Sequence, residues 1–187
     1  MDGFEQLDLA IPALGKLVEG VRRDQLDDPT PCARWKVRDL LAHLVEGGHM
    51  FAEAFRGAPV RDISRPDPGV IGDDPAKAFA GSFADFTAAI RAPGAMDRTL
   101  TLPFGEVPAP VFLRLAAFDL TVHAWDVATA TGQRFDPPDD LVAEADEFAR
   151  QALGPETRDG DTFAVAVEPP PGANRLERLV AFSGRQP

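Results

Sequence analysis

The sequence predicts a mainly helical, all-α fold. Four long segments carry apolar residues at intervals of three and four, clusters of Pro and Gly punctuate the stretches between them, and alternating runs last only a few residues. A chain of 187 residues is long enough to bury one sizeable core, and no linker divides it, so the expectation is one domain over residues 1–187. The predicted architecture is a four-helix bundle with short accessory helices and a short extended arm.

The elements follow in order. Residues 4–26 place Leu7, Leu9, Ile11, Leu14, Leu17, Val18 and Val21 at largely helical spacing, with Pro12 as an early interruption, which predicts a first helix of about five turns. Asp27-Asp28-Pro29-Thr30-Pro31-Cys32 must be a loop, because each proline holds its predecessor in extended geometry, and Trp35 is expected to anchor that loop on the core. From Lys36 to Phe55, the stripe Val37, Leu40, Leu41, Leu44 and Phe51 predicts the second helix. Pro59, Pro66, Pro68 and Pro75 exclude long regular structure between residues 57 and 75. A third helix is predicted from Pro75 to Arg91, with Ala76, Phe79, Phe83, Phe86 and Ile90 facing inward. Residues 98–108 alternate briefly and turn at Gly105, giving the extended arm. The fourth helix runs from Ala109 to Thr131 and stops at Gly132, the usual place of a left-handed cap. A fifth covers Asp139 to Leu153, and a last one Asn174 to Phe182, after a brief Phe163-Ala-Val-Ala-Val run and the Pro169–Gly172 break.

Composition narrows function. The chain carries 19 Lys and Arg against 30 Asp and Glu, a formal charge of -11, which repels a phosphate backbone and argues against nucleic acid as a partner. No apolar run approaches the roughly 20 residues needed to span a bilayer, so no membrane partner is expected. The first twenty residues lack a basic leader ahead of an apolar stretch, and the expected compartment is the cytoplasm. Cys32 is the single cysteine, so the fold does not rest on an internal disulfide.

Chemistry is expected where the three histidines, at 43, 49 and 123, meet carboxylates. On the fourth helix Asp119, His123 and Asp126 share one stripe, a turn apart, amid Phe112, Leu113, Leu115, Ala116, Ala117, Phe118 and Leu120. Buried imidazole and carboxylate need partners, and a metal ion satisfies several at once. His43 lies at the border of the second helix's apolar stripe, with Gly47 leaving space beside its ring, whereas His49 projects among Glu46 and Glu53. His43, Asp119 and His123 are therefore the candidate metal ligands, an open three-ligand set suited to Zn²⁺ first, with Ni, Fe or Mn as alternatives. The competing reading is a satisfied core histidine beside an Asp–His pair. Asp126 is a candidate for orienting an imidazole, a further ligand, or a helix-surface aspartate. Cys32, in a turn before a helix, is either a nucleophile or a small packed residue.

Two longer motifs, Pro29-Thr-Pro-Cys-Ala-Arg-Trp-Lys-Val-Arg-Asp-Leu-Leu-Ala-His43 and Asp119-Leu-Thr-Val-His123-Ala-Trp-Asp126-Val-Ala-Thr-Ala-Thr-Gly132, add a resemblance. Together they resemble the actinobacterial metal-binding proteins related to the N-terminal domain of mycothiol-dependent maleylpyruvate isomerase, within the wider DinB-like superfamily. The closing segment from Leu176 to Pro187 is similar to the end of the short members of this group. The resemblance implies a DinB-like four-helix bundle in which a histidine of the second helix joins an acid-x-x-x-His or His-x-x-x-His pair of the fourth on one metal, positions that fall on His43, Asp119 and His123. It further implies a metal-dependent thiol transferase or isomerase-like enzyme, with a mycothiol-type thiol and a small electrophile as its partners. The alternative is a non-catalytic metal- or ligand-binding bundle, and either is expected as a monomer or homodimer. This sequence departs from the pattern in carrying Asp119 where the isomerase-like proteins carry Glu, one methylene longer, and in being too short for the isomerase's additional C-terminal domain.

Overall fold

The computed structural model describes residues 1–102, 105–154, 158 and 163–187. It is mainly helical, with 60% of residues in helices. Among the described residues the elements are α1 (Gly3–Glu19), α2 (Val37–Phe55), α3 (Pro75–Ile90), a two-stranded antiparallel arm of β1 (Thr99–Leu102) and β2 (Gly105–Pro108), α4 (Ala109–Thr131), α5 (Asp139–Ala152) and α6 (Arg175–Phe182). Leu100 pairs with Val107 across the arm. Pro103 and Phe104, within the predicted arm, lie outside the described residues.

Four of these six helices begin where a side chain offers a backbone N–H group an acceptor. Asp2 caps α1 through the amide of Glu5, Asp74 caps α3 through Lys77, and Asn174 caps α6 through Glu177. α2 is held by Asp39, whose carboxylate accepts from the amide of Lys36 at 2.9 Å. α4 ends at Gly132 with φ 67°, a conformation that costs glycine little.

The first four helices share one core. α1 packs on α4 and α2 on α3, with further contacts between α1 and α3 and between α2 and α4. Leu7, Leu14, Leu40, Leu41, Phe86 and Phe112 are fully buried there, each stabilising the fold by about 1.5–3 kcal/mol relative to exposure. Gly48 permits the close approach of α2 to α3, since a Cβ at that position would lie 2.8 Å from the Ser82 hydroxyl. A second cluster forms behind α4, where Phe118 and Val122 meet Val142, Phe148, Phe163 and Leu179. α4 is thus covered on two sides, which is why its polar stripe is not free to face water: His123 is 5% exposed and Asp126 0%.

Two expectations differ in detail. The first helix ends at Glu19, not near residue 26, because the side chain of Gln133 occupies the space beside Gly20 and donates to the carbonyl of Leu17; residues 23–25 form a separate short 3-10 turn. Pro12 does not interrupt α1, since it sits on the exposed face; Leu9 is also turned outward. In the brief Phe163–Val167 run, Phe163 stacks on Phe118 at 5.6 Å between ring centroids, while Val165 is exposed.

Candidate metal centre

The loop between α1 and α2 closes on itself before α2 begins. The Thr30 hydroxyl donates to the carbonyl of Trp35 at 2.8 Å, the Cys32 amide donates back to that hydroxyl at 3.2 Å, and Pro29 bridges to Lys36. This closure sets the Trp35 ring against His43 on α2, at 4.5 Å between centroids, and near His123 on α4, at 6.2 Å. The two imidazoles meet edge to face at 5.2 Å. A helix-borne pair of rings is in this way sandwiched by a loop aromatic.

His43, Asp119 and His123 come together: one ligand atom from each lies within 4.8 Å of the other two. His123 Nε2 is 3.5 Å from Asp119 Oδ1, close to the roughly 3.4 Å edge of a tetrahedron built with ~2.1 Å metal–ligand bonds. His49 is exposed on the opposite side of α2 and joins neither of the clusters of His, Cys, Asp and Glu found among the described residues.

Hydrogen bonds occupy Nδ1 of both rings. His43 Nδ1 stands 3.2 Å from the carbonyl of Ile63, which can only accept, so Nδ1 carries hydrogen and Nε2 keeps its lone pair. His123 Nδ1 likewise donates to Asp126 Oδ2 at 3.0 Å. The charged groups around them separate the two rings electrostatically. Burial, with repulsion from His123, lowers His43 from 6.5 to about 4. Burial would also lower His123, but the Asp119 charge and the hydrogen bond to Asp126 outweigh it and raise that ring to about 10. Burial would raise Asp126; Arg185 and His123 overcome it and hold the carboxylate at about 2.

Asp126 is the centre of a second group. It accepts from Arg185 Nη2 at 3.0 Å and Nε at 3.3 Å, and from the Cys32 thiol at 3.2 Å. Asp126 is wholly buried and so is not a helix-surface aspartate, and the fold brings Cys32, His123 and Asp126 into one cluster. The space expected beside Gly47 is filled by the side chain of Ile63, at 3.6 Å from the position a Cβ would take. Ile63 and Arg185 were missed altogether. Neither carries a sequence signal, one acting through a backbone carbonyl in an irregular stretch and the other as a single basic residue after a short helix.

Comparison with known proteins gives the family. Residues 7–128, which include all three predicted ligands, match the mycothiol maleylpyruvate isomerase N-terminal domain. Two uncharacterised proteins of Mycobacterium tuberculosis, from strains CDC 1551 and H37Rv, are each 38% identical over 186 residues, covering 99% of this chain and 98% of the relative. Among solved structures, mycothiol-dependent maleylpyruvate isomerase has the same fold, with a TM-score of 0.60 at 17% identity; its histidine-to-alanine mutant gives 0.62 at 16%. Both alignments cover 82% of this chain and 74% of the solved one. The family match spans more than half of the chain, and the chain belongs to the mycothiol maleylpyruvate isomerase N-terminal domain family.

Proposed function

We propose that this protein is a metal-dependent enzyme of thiol chemistry, holding one divalent ion, Zn²⁺ first among the candidates, on His43 Nε2, His123 Nε2 and an Asp119 oxygen. The observation that carries this reading is the way the rings are held. Both spend Nδ1 on fixed acceptors, and one ligand atom each of His43, His123 and Asp119 lies within 4.8 Å of the other two. Two nitrogens and one carboxylate are a donor set of open zinc sites, which retain a position for water or substrate. Asp126 acts on His123 as the carboxylate partners of metal-bound histidines do, fixing the ring and raising its basicity.

A bound ion of this kind would supply Lewis acidity and lower the pKa of a coordinated thiol. The chain's own part is to orient and to balance charge. With one carboxylate among three donors, the site leaves a divalent ion one positive charge, which a thiolate neutralises, and a soft anionic sulfur suits a borderline-soft metal. The mycothiol named for the solved relatives supports a mycothiol-type thiol as the cofactor here, with a small electrophile as its partner. Trp35 shields the rings on one side, and Asp119, its side chain 30% exposed, marks the side open to a ligand. Asp119 sets a shorter reach from α4 than the Glu of the isomerase-like pattern.

Metal analysis of the wild type beside His43→Ala tests the site, with about one ion per chain expected in the first and none in the second. Cobalt-substituted protein should then gain a sulfur-to-metal charge-transfer band when a small thiol is added, and keep it in Cys32→Ala. A cobalt spectrum moved by carboxylates or phosphates and untouched by thiols would replace thiol transfer with a hydrolytic or binding role.

A further inference from the structure

Arg185 is an unusual residue to find where it is. It is 8% exposed, in the segment that follows α6, and its backbone amide is tied to the carbonyl of Val180 at 2.9 Å. Burying a guanidinium is costly unless every donor finds a partner. Here Nη1 donates to the carbonyl of Ser183 at 3.1 Å, while Nε and Nη2 grip the two oxygens of Asp126 at 3.3 and 3.0 Å. Nη2 also stands 3.6 Å from Cys32 Sγ. The same Asp126 oxygen that receives Nη2 receives His123 Nδ1–H at 3.0 Å. Three parts of the chain that are remote in sequence, the loop before α2, α4 and the segment after α6, therefore converge on one carboxylate.

We infer that Arg185 is a positioning residue for the metal centre: its two-point grip fixes the Asp126 carboxylate, which in turn aims His123 Nε2. The inference rests on the proposed ligand set of His43, Asp119 and His123. Arg185 bonds Asp126, Ser183 and Cys32, and acts on the proposed ligands through Asp126. A carboxylate held by one contact can rotate about its Cβ–Cγ bond, whereas one held at both oxygens cannot, so the acceptor plane facing His123 is set from the far side. The arrangement ties the docking of the segment after α6 to the geometry on α4, although the two are separated by 59 residues.

The test is Zn²⁺ affinity, measured by competition with a chromophoric chelator, on wild type, Arg185→Met, Arg185→Lys and the double variant Asp126→Leu/Arg185→Met. Outer partners of ligating histidines typically contribute about 10–100-fold in metal affinity. Arg185→Met should lose affinity in that range, and Arg185→Lys, which keeps the charge without the two-point grip, should fall between it and wild type. Arg185→Met leaves a buried carboxylate uncompensated and is the variant most prone to unfold. The double variant removes both charges together, a change that buried pairs often tolerate. It should fold, by circular dichroism and thermal unfolding, yet bind Zn²⁺ about 10–100-fold more weakly than wild type. In the cobalt protein the exchangeable His123 Nδ1–H resonance, sharp in wild type, should broaden in Arg185→Lys. A folded double variant with wild-type affinity would make the pair a structural one and overturn the inference while leaving the ligand set standing. A wild type that takes up no Zn²⁺ would overturn both.

Discussion

Loading the site with Zn²⁺ at pH 6.0 should release about one proton per ion, and the number follows from the unequal surroundings of the two histidines. In the metal-free protein His123, raised to about 10 by Asp119 and Asp126 against the effect of burial, is fully charged at that pH and must surrender its Nε2 proton to ligate. His43, lowered to about 4 chiefly by burial, is about 1% charged and contributes almost nothing. Two imidazoles at the ordinary value of about 6.5 would each be roughly three-quarters charged and would release about 1.5 protons together. A zinc-bound water with a pKa of about 7 adds only about 0.1 at pH 6.0. Titration calorimetry in buffers of different ionisation enthalpy resolves these cases. The logarithm of the affinity should also rise by about one per pH unit near pH 6, because the single proton competes with the ion. Release near 1.5 would show that the rings titrate independently. Release near zero would show His123 neutral before the ion arrives, and either result refutes the electrostatic reading of the pair.

Other outcomes follow from the same structure. His43→Ala and His123→Ala should each abolish tight Zn²⁺ uptake, while His49→Ala, altering an exposed ring outside the site, should leave it intact; metal analysis of the purified variants distinguishes these. Chelation should leave helical circular dichroism nearly unchanged, since both apolar clusters form without the proposed ligands. Phe112→Ala should cost about 3–5 kcal/mol in urea unfolding, because the ring is fully buried and packs edge-on against Phe51 at 4.8 Å and Phe55 at 5.7 Å. Metal-free protein should lose stability as pH falls below about 6.5, with this contribution exhausted below about 4. The unfolded chain binds the His43 proton more readily than the folded one in that window, and His43→Gln should flatten the slope.

The helices were legible because their signals are local. Leu40, Leu41 and Leu44 on α2 and Phe79, Phe83 and Phe86 on α3 announce their buried faces through spacing alone, and Gly132 announces its own cap. The end of α1 was not legible, since it depends on Gln133 arriving from 116 residues away to occupy the space beside Gly20. The juxtaposition of His43, Asp119 and His123 was readable from helical phase and from motifs that belong to the family. Its supports were not. Ile63 contributes a backbone carbonyl, which residue identity does not encode, and Arg185 acts through a contact that no periodicity marks. Cys32 shows the same limit: its nearest charged groups are Asp126 and Arg185, remote in sequence, so its surroundings could not be read from its neighbours in the chain.

The two nitrogens of His123 face environments of opposite kind, and this asymmetry bears on what the site is for. On the Nδ1 side Asp126, wholly buried, is matched by Arg185, so carboxylate and guanidinium cancel and every contact is short and internal. On the Nε2 side stand Asp119, its side chain 30% exposed, at 3.5 Å, and the neutral ring of His43. In the metal-free protein the Asp119 charge is balanced by the proton on His123, so the two faces differ in what they can exchange. Arg185 keeps its proton at any ordinary pH, whereas His123 can yield its own to a divalent cation. That exchange leaves the Nδ1 half intact, offers the ion two nitrogens and one carboxylate, and leaves a net positive charge for an anion. The exchangeable face thus favours a ligand site, and the fixed face supplies the rigidity that such a site requires.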